Sequence, residues 1–168
     1  MLDVAGNFIN DLDCVKRVNI NHADGNECKT KLSKDLTLGL WNEKIVEPLI
    51  NEYFDMKVNN TKLTKGKYCA YDYECETKKT RYELKSRRIK HDKYDSVFIS
   101  TRKIEKGWVD GYRLVLLFYF TDGLYYTEYD PYVFKTYKKT LLSVYRDGRR
   151  EDDNVYNIPI MALKKVEL

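Results

Sequence analysis

The run YRLVLLFYF, residues 112–120, constrains the fold more than any other stretch of the chain. Successive side chains of a strand point to opposite faces. A run broken only by Arg113 therefore reads as a central strand covered on both sides. Asp122-Gly123 is a strong tight-turn signal, and LYYTEYD after it reads as the returning strand of a hairpin.

Upstream, DLTLGLWNEKIVEPLINEYFD begins a helical pattern at Asp35. Trp41, Ile45, Leu49 and Tyr53 recur every four residues, and Val46 and Ile50 widen the apolar stripe. Glu43 and Glu47 share a helix face, and Pro48 either kinks the helix or marks a first turn. KYCAYDYECETKKTRYELKSRR then reads as two alternating runs around the turn TKKT, a second hairpin. With Lys78 and Lys79 at its tip, Asp72 would lie opposite Lys85 and Glu74 opposite Glu83. Period two puts all four on one face, with Tyr73, Cys75, Tyr82 and Leu84 on the core side. YDSVFISTRKIEKG fits helix and strand equally. Residues 131–145 suggest a short helix, and NVYNIPIMALKKV suggests a strand, a proline break and a last short element. The order predicts an α/β (α+β) fold, a mixed sheet with flanking helices. Residues 1–34, polar and rich in turn signals, read as an N-terminal extension, and residues 35–168 as one domain.

Composition removes several classes. A hydrophobic fraction of 43% with 15 tyrosines excludes a disordered chain. No apolar run reaches the roughly 20 residues of a membrane span. The start, MLDVAGNFINDLD, lacks the basic and apolar regions of a secretory signal, and the four cysteines form no CxxC pair. The expectation is an intracellular protein with reduced thiols. A zinc site from Cys14, His22 and Cys28 fits no common ligand spacing. The net charge of +4 is too small to imply nucleic acid by itself; where the charges cluster matters more.

One such cluster is RYELKSRR, residues 81–88. Acid-x-lysine triplets occur four times in this chain, so the triplet alone means little. Glu83-Leu84-Lys85 differs because it lies in a strand with an apolar residue between its charges, after Asp72 on the neighbouring strand and a glutamate-bearing helix before both. The order GLWNEKIVEPL, YDYE, YELKSR resembles the PD-(D/E)XK nuclease superfamily, whose core is a helix, a three-stranded meander, a helix and a final strand. FISTRKIEKGW and FTDGLYY resemble small nuclease-like proteins of phages and large DNA viruses more loosely. The resemblance spans roughly residues 38–130, and Tyr71 stands where the family's proline would precede Asp72.

The resemblance implies a restriction-endonuclease-like fold and a Mg²⁺- or Mn²⁺-dependent deoxyribonuclease with Glu43, Asp72, Glu83 and Lys85 as catalytic residues. Asp72, Glu83 and the backbone carbonyl of Leu84 would hold the metal, a hard ion that suits carboxylates. Lys85 would orient or help deprotonate the attacking water, and Glu43 would complete the site through a water or a second ion, with Glu47 as competitor. Arg81, Arg87, Arg88, Lys90, Arg102 and Lys103 would grip DNA phosphates, and a homodimer would let a small nuclease cut both strands.

Blander readings exist for each group. Glu83 and Lys85 as an exposed pair would be worth about 0–1 kcal/mol. The basic run could be a solubilising face. Tyr125, Tyr126, Tyr129 and Tyr132 fit core or rim packing better than base stacking, and a lone loop histidine such as His91 is usually just exposed. The rival functions are a nuclease-fold protein without catalysis that binds nucleic acid or a protein partner, and a tyrosine-rich structural or virion protein.

Overall fold

The computed structural model describes residues 31–66, 69–146 and 149–167. Residues 1–30, with Cys14, His22, Cys28 and most of the expected extension, lie outside them. The architecture is mixed α+β: a six-stranded mixed sheet and a three-stranded antiparallel sheet, with flanking helices.

Helix α1 (Lys31–Tyr53) comes first. It starts four residues before the expected Asp35 and runs through Pro48. The missing Pro48 N–H leaves the Lys44 carbonyl without its helical donor, but both residues are exposed, so water can take that place. Strand β1 (Asn59–Asn60) and the four-residue helix α2 (Thr61–Thr64) follow, neither foreseen from sequence. Then come β2 (Tyr73–Cys75) and β3 (Thr80–Ser86). The segment that fitted helix and strand equally is both: β4 (Ser96–Ser100), then α3 (Thr101–Gly107). β5 (Arg113–Phe120) and β6 (Gly123–Glu128) form the expected second hairpin, with Gly123 at φ 143 in its turn.

The expected helix over 131–145 is corrected. Only α4 (Pro131–Phe134) is helical, and β7 (Lys139–Arg146) is a strand. Asp130 caps α4 by accepting from the Tyr132 and Val133 amides at 2.7 and 3.3 Å. Beyond it the backbone bonds of β7 go to β8 (Arg149–Pro159), a partner that no local pattern announces. A 3₁₀ turn (Ile160–Ala162) and β9 (Lys164–Lys165) end the chain.

The large sheet runs β1-β2-β3-β5-β6-β9, parallel only between β3 and β5. β5 is covered on both faces, as its sequence requires. Val115 and Leu117 pack with Tyr82, Leu84 and Tyr126 against Val46 and Ile50 of α1. Leu114, Leu116 and Phe118 pack with Val97 and Ile99 of β4, Ile104 of α3 and Ile158 of β8. The second sheet, β4-β8-β7, therefore covers the face opposite α1.

Val46 and Ile50 of the expected stripe are fully buried, and Leu49 and Tyr53 pack against the same core. At its N-terminal end the stripe differs: Trp41 is 48% exposed, and Asn42 and Glu43 are buried instead. Ile50 is fully buried, so Ile50→Ala should cost about 2–5 kcal/mol by lost burial plus cavity. Leu40→Ala, at a half-exposed position, should stay within about 0.5 kcal/mol. Urea unfolding of the two variants checks the placement of the helix.

Candidate active site

The site forms where β2 and β3 part. Their register pairs Tyr73 with Tyr82, Glu74 with Arg81 and Cys75 with Thr80. The turn is Glu76–Lys79, with Lys79 at φ 47, so the expected register is corrected by two residues: Glu74 faces Arg81, not Glu83, and Asp72 does not face Lys85. A shift of two preserves the faces. Tyr73, Cys75, Tyr82 and Leu84 lie in the core as expected.

Asp72 sits on a bend just before β2. Its N–H donates to the Tyr82 carbonyl at 2.9 Å, and its Oδ2 accepts from the Leu84 N–H at 2.8 Å. Beyond Tyr82, no strand among the described residues pairs with β3 on this side, and a strand amide left unpaired in a protein interior is costly. The Asp72 carboxylate takes the vacant acceptor role and is thereby fixed beside Glu83.

Glu43 arrives from α1, anchored by the Tyr73 hydroxyl, which donates to the Glu43 carbonyl at 2.6 Å. Glu43, Asp72 and Glu83 are 5%, 7% and 2% exposed. Carboxylates are seldom buried this deeply without cations, and three lysines supply them. Lys62 of α2 bonds Glu43 and lies 3.5 Å from Asp72 Oδ1. Lys85 lies 2.9 Å from Glu83 Oε1, and Lys103 lies 3.1 Å from Glu83 Oε2. Burial pushes the Glu83 carboxyl up from its ordinary value; Lys85 opposes this, Asp72 adds to it, and Lys103 opposes it again. For Lys62 burial works against the charge, but Glu43 and Asp72 outweigh it and hold the ammonium above its usual range.

The four residues expected at the site, Glu43, Asp72, Glu83 and Lys85, thus come together. Glu43 rather than Glu47 reaches it. Lys62 and Asn60, whose amide donates to Glu43 Oε2 at 3.2 Å, were not foreseen. Lys62 meets Glu43 across 19 residues and a chain reversal, so no spacing rule could have found it.

A cavity of about 480 Å³ opens here, lined by Leu38, Gly39, Glu43 and the β3 end from Leu84 to Arg88. A smaller one of about 190 Å³ adjoins it through Lys85 and Arg87 and is lined by Phe98, Leu142 and Asp153. Arg87 stands over the Phe98 ring at 4.9 Å and donates to the Phe98 carbonyl at 3.4 Å. Burial pushes its pKa down, and among the described residues it makes no ion pair.

The remaining basic candidates divide. Arg88 and Lys90 are exposed beyond the same strand end. Arg102 is tied to the β8 strand, through the Asp152 carbonyl at 2.9 Å and Asp153 at 3.7 Å. Lys103 belongs to the acid cluster. Arg81 is not brought to the site: it lies between the Tyr71 and Tyr112 rings, 4.4 Å from each, and binds Glu74 and the Gly107 carbonyl, both at 3.1 Å. Two of its donors and both faces of its guanidinium are thus engaged within the fold.

Tyr125 and Tyr126 are buried and Tyr129 packs on Trp108, whereas Tyr132 is 75% exposed. His91 stacks on Tyr125, and its Nδ1 pairs with Asp122 Oδ2 at 2.7 Å. His91, Asp92 and Asp122 are the one trio of metal-ligating side chains with atoms within 4.8 Å of one another among the described residues. The His91 backbone N–H also donates to Asp122 Oδ1 at 2.9 Å, so the contact clamps a loop to the β5–β6 turn.

Comparison with family models, curated proteins and solved structures finds no match to this chain. Among the described residues, no helix is long and apolar enough to cross a membrane.

Beside the site, Glu74 anchors a structural cluster. Burial opposes its ionisation, but Lys65, Tyr71 and Arg81 outweigh that and hold its pKa below the usual value. A depressed pKa contributes stability that is present above the unfolded-state pKa and lost as pH falls through the folded one. Glu74→Gln should therefore cost about 1–3 kcal/mol at neutral pH. The gap to wild type should close below the usual glutamate pKa, about 4.3. Urea titrations between pH 3 and 7, each pH an approximate set point around that value, read the difference directly.

Proposed function

We propose that the chain is a metal-dependent deoxyribonuclease of the PD-(D/E)XK type. The observation that carries the reading is the convergence of Glu43, Asp72, Glu83 and Lys85 beside an open cavity, whose wall includes Glu43, Lys85, Arg87 and Arg88. The order of elements is consistent with it. A helix precedes three antiparallel strands, and the chain crosses through α3 to β5, which lies parallel to β3.

The donor set suits a hard divalent cation. Asp72 and Glu83 are buried and close enough that Asp72 raises the Glu83 pKa. Like-charged carboxylates held together are stabilised by a cation between them. Mg²⁺ or Mn²⁺ would be held by Asp72 and Glu83, with the Leu84 carbonyl as the family resemblance implies. The bound ion would supply an activated water and charge neutralisation. Lys85, whose ammonium sits on Glu83 at the cavity wall, would orient the attacking water and neutralise charge on the phosphate. Arg87 carries a charge that no carboxylate of the described residues balances, and a DNA phosphate would balance it. Arg88 and Lys90 extend the basic surface outward.

The second reading is a protein of the same fold that binds nucleic acid without cutting it. The lysines engaging all three acids are compatible with that reading, because they satisfy the carboxylates without a metal.

Cleavage of duplex, flap and single-stranded DNA should require Mg²⁺ or Mn²⁺ and stop in EDTA. Lys85→Ala should lower the cleavage rate roughly 10²- to 10⁴-fold while DNA affinity measured in Ca²⁺ stays nearly unchanged. Wild-type activity in Lys85→Ala would show the site to be misassigned. Binding without cutting in either metal would establish the second reading.

Replacing Arg87 and Arg88 by alanine should do the reverse. Binding weakens, and the slope of log affinity against log salt becomes shallower by up to about 2, near 0.9 per lost phosphate contact. Fluorescence anisotropy at several salt concentrations checks this.

A further inference from the structure

We infer that Lys62 is a built-in second cation of this site: it holds the Glu43–Asp72 pair and leaves room for a single divalent ion, on the Asp72–Glu83 side. This deepens the nuclease reading and rests on it.

The three buried carboxylates make two neighbouring pairs, and the pairs differ. Between Glu43 and Asp72, one ammonium contacts both acids, with Lys62 Nζ bonded to Glu43 and 3.5 Å from Asp72 Oδ1. Between Asp72 and Glu83, no lysine of the described residues contacts both. Lys85 and Lys103 approach Glu83 alone, at 2.9 and 3.1 Å. The first pair already has its cation, and the second is where no shared cation stands between the two acids.

Lys62 is held in place rather than draped over the acids. The Thr61 N–H donates to the Asp72 carbonyl at 2.9 Å, tying α2 to the bend that carries Asp72. Asn60 caps α2 by accepting from the Lys62 N–H at 3.0 Å, and its amide donates to Glu43 Oε2 at 3.2 Å. One asparagine thus fixes both the backbone of the lysine and the acid it binds. A lysine with its backbone fixed in this way needs little further ordering to act as a permanent counter-charge. The charge balance agrees. Three carboxylates face three ammoniums, so one divalent ion leaves an excess of positive charge for a phosphodiester. A second ion would have to displace an ammonium paired with two acids.

The test is the number of ions bound, measured with Mn²⁺ on the full chain by calorimetry and native mass spectrometry. Wild type should bind one ion and Lys62→Met two, because the vacated Glu43–Asp72 pair then accepts a metal. Lys62→Arg, which keeps the charge, should bind one. In wild type, acylation of the Lys62 amine, read by peptide mass spectrometry, should stay suppressed when Mn²⁺ is added. This readout, with the wild-type stoichiometry, needs no variant to fold. Two ions on wild type, one ion on Lys62→Met with unchanged affinity, or Lys62 becoming reactive on metal addition would each overturn the inference and leave the nuclease reading standing. No Mn²⁺ uptake by wild type would overturn both.

Discussion

The hydrogen bond from the Leu84 amide to the Asp72 carboxylate is the contact on which the site turns. β2 pairs with β3 only as far as Tyr73 and Tyr82, and beyond that point no strand among the described residues neighbours β3 on this side. The Leu84 N–H meets a side-chain oxygen at 2.8 Å where a strand carbonyl would otherwise stand. The bend therefore does two things. It opens the sheet so that β3 can present Lys85 to a cavity, and it fixes Asp72 next to Glu83 by satisfying a backbone donor. α1 reaches the same point because the Tyr73 hydroxyl holds the Glu43 carbonyl.

Buried charge follows from that geometry. Three carboxylates under 10% exposed would be prohibitively costly alone. Lysines from α2, β3 and α3, three separate elements, each extend an ammonium into the cluster. Glu74, on the same face of the sheet, shows the other outcome for a buried acid. Lys65, Tyr71 and Arg81 satisfy it completely, and Arg81 is in turn enclosed by two tyrosine rings. The two clusters use the same residue types. They differ in access: one lies against a cavity, and the other is closed by side chains.

Much of the site was legible in the sequence because it depends on strand periodicity. Glu83 and Lys85 share a face in any strand, and Tyr82 and Leu84 must take the other. Asp72, Glu43 and Lys85 were named from their order along the chain. The register of the hairpin was not legible, since TKKT permits more than one tip and the turn closes one residue earlier than its composition suggests. The surroundings of Arg81 were not legible for a related reason. An arginine in a basic run looks available, and only the folded chain reveals that Glu74 and two aromatic rings have already engaged it.

The sequence by itself determined the layers. A strand as apolar as 113–120 must be covered on both faces, and an amphipathic helix must supply part of the cover. It also determined that Glu83 and Lys85 share one strand face, because that relation is local. Tertiary structure alone decided which cover lies on each face, that α1 buries Glu43 and leaves Trp41 half-exposed, and that β7 is a strand rather than a helix. It also decided that Lys62 stands between Glu43 and Asp72. Each of these depends on groups far apart in the chain, and their energies are set by pairing and burial that no local pattern encodes.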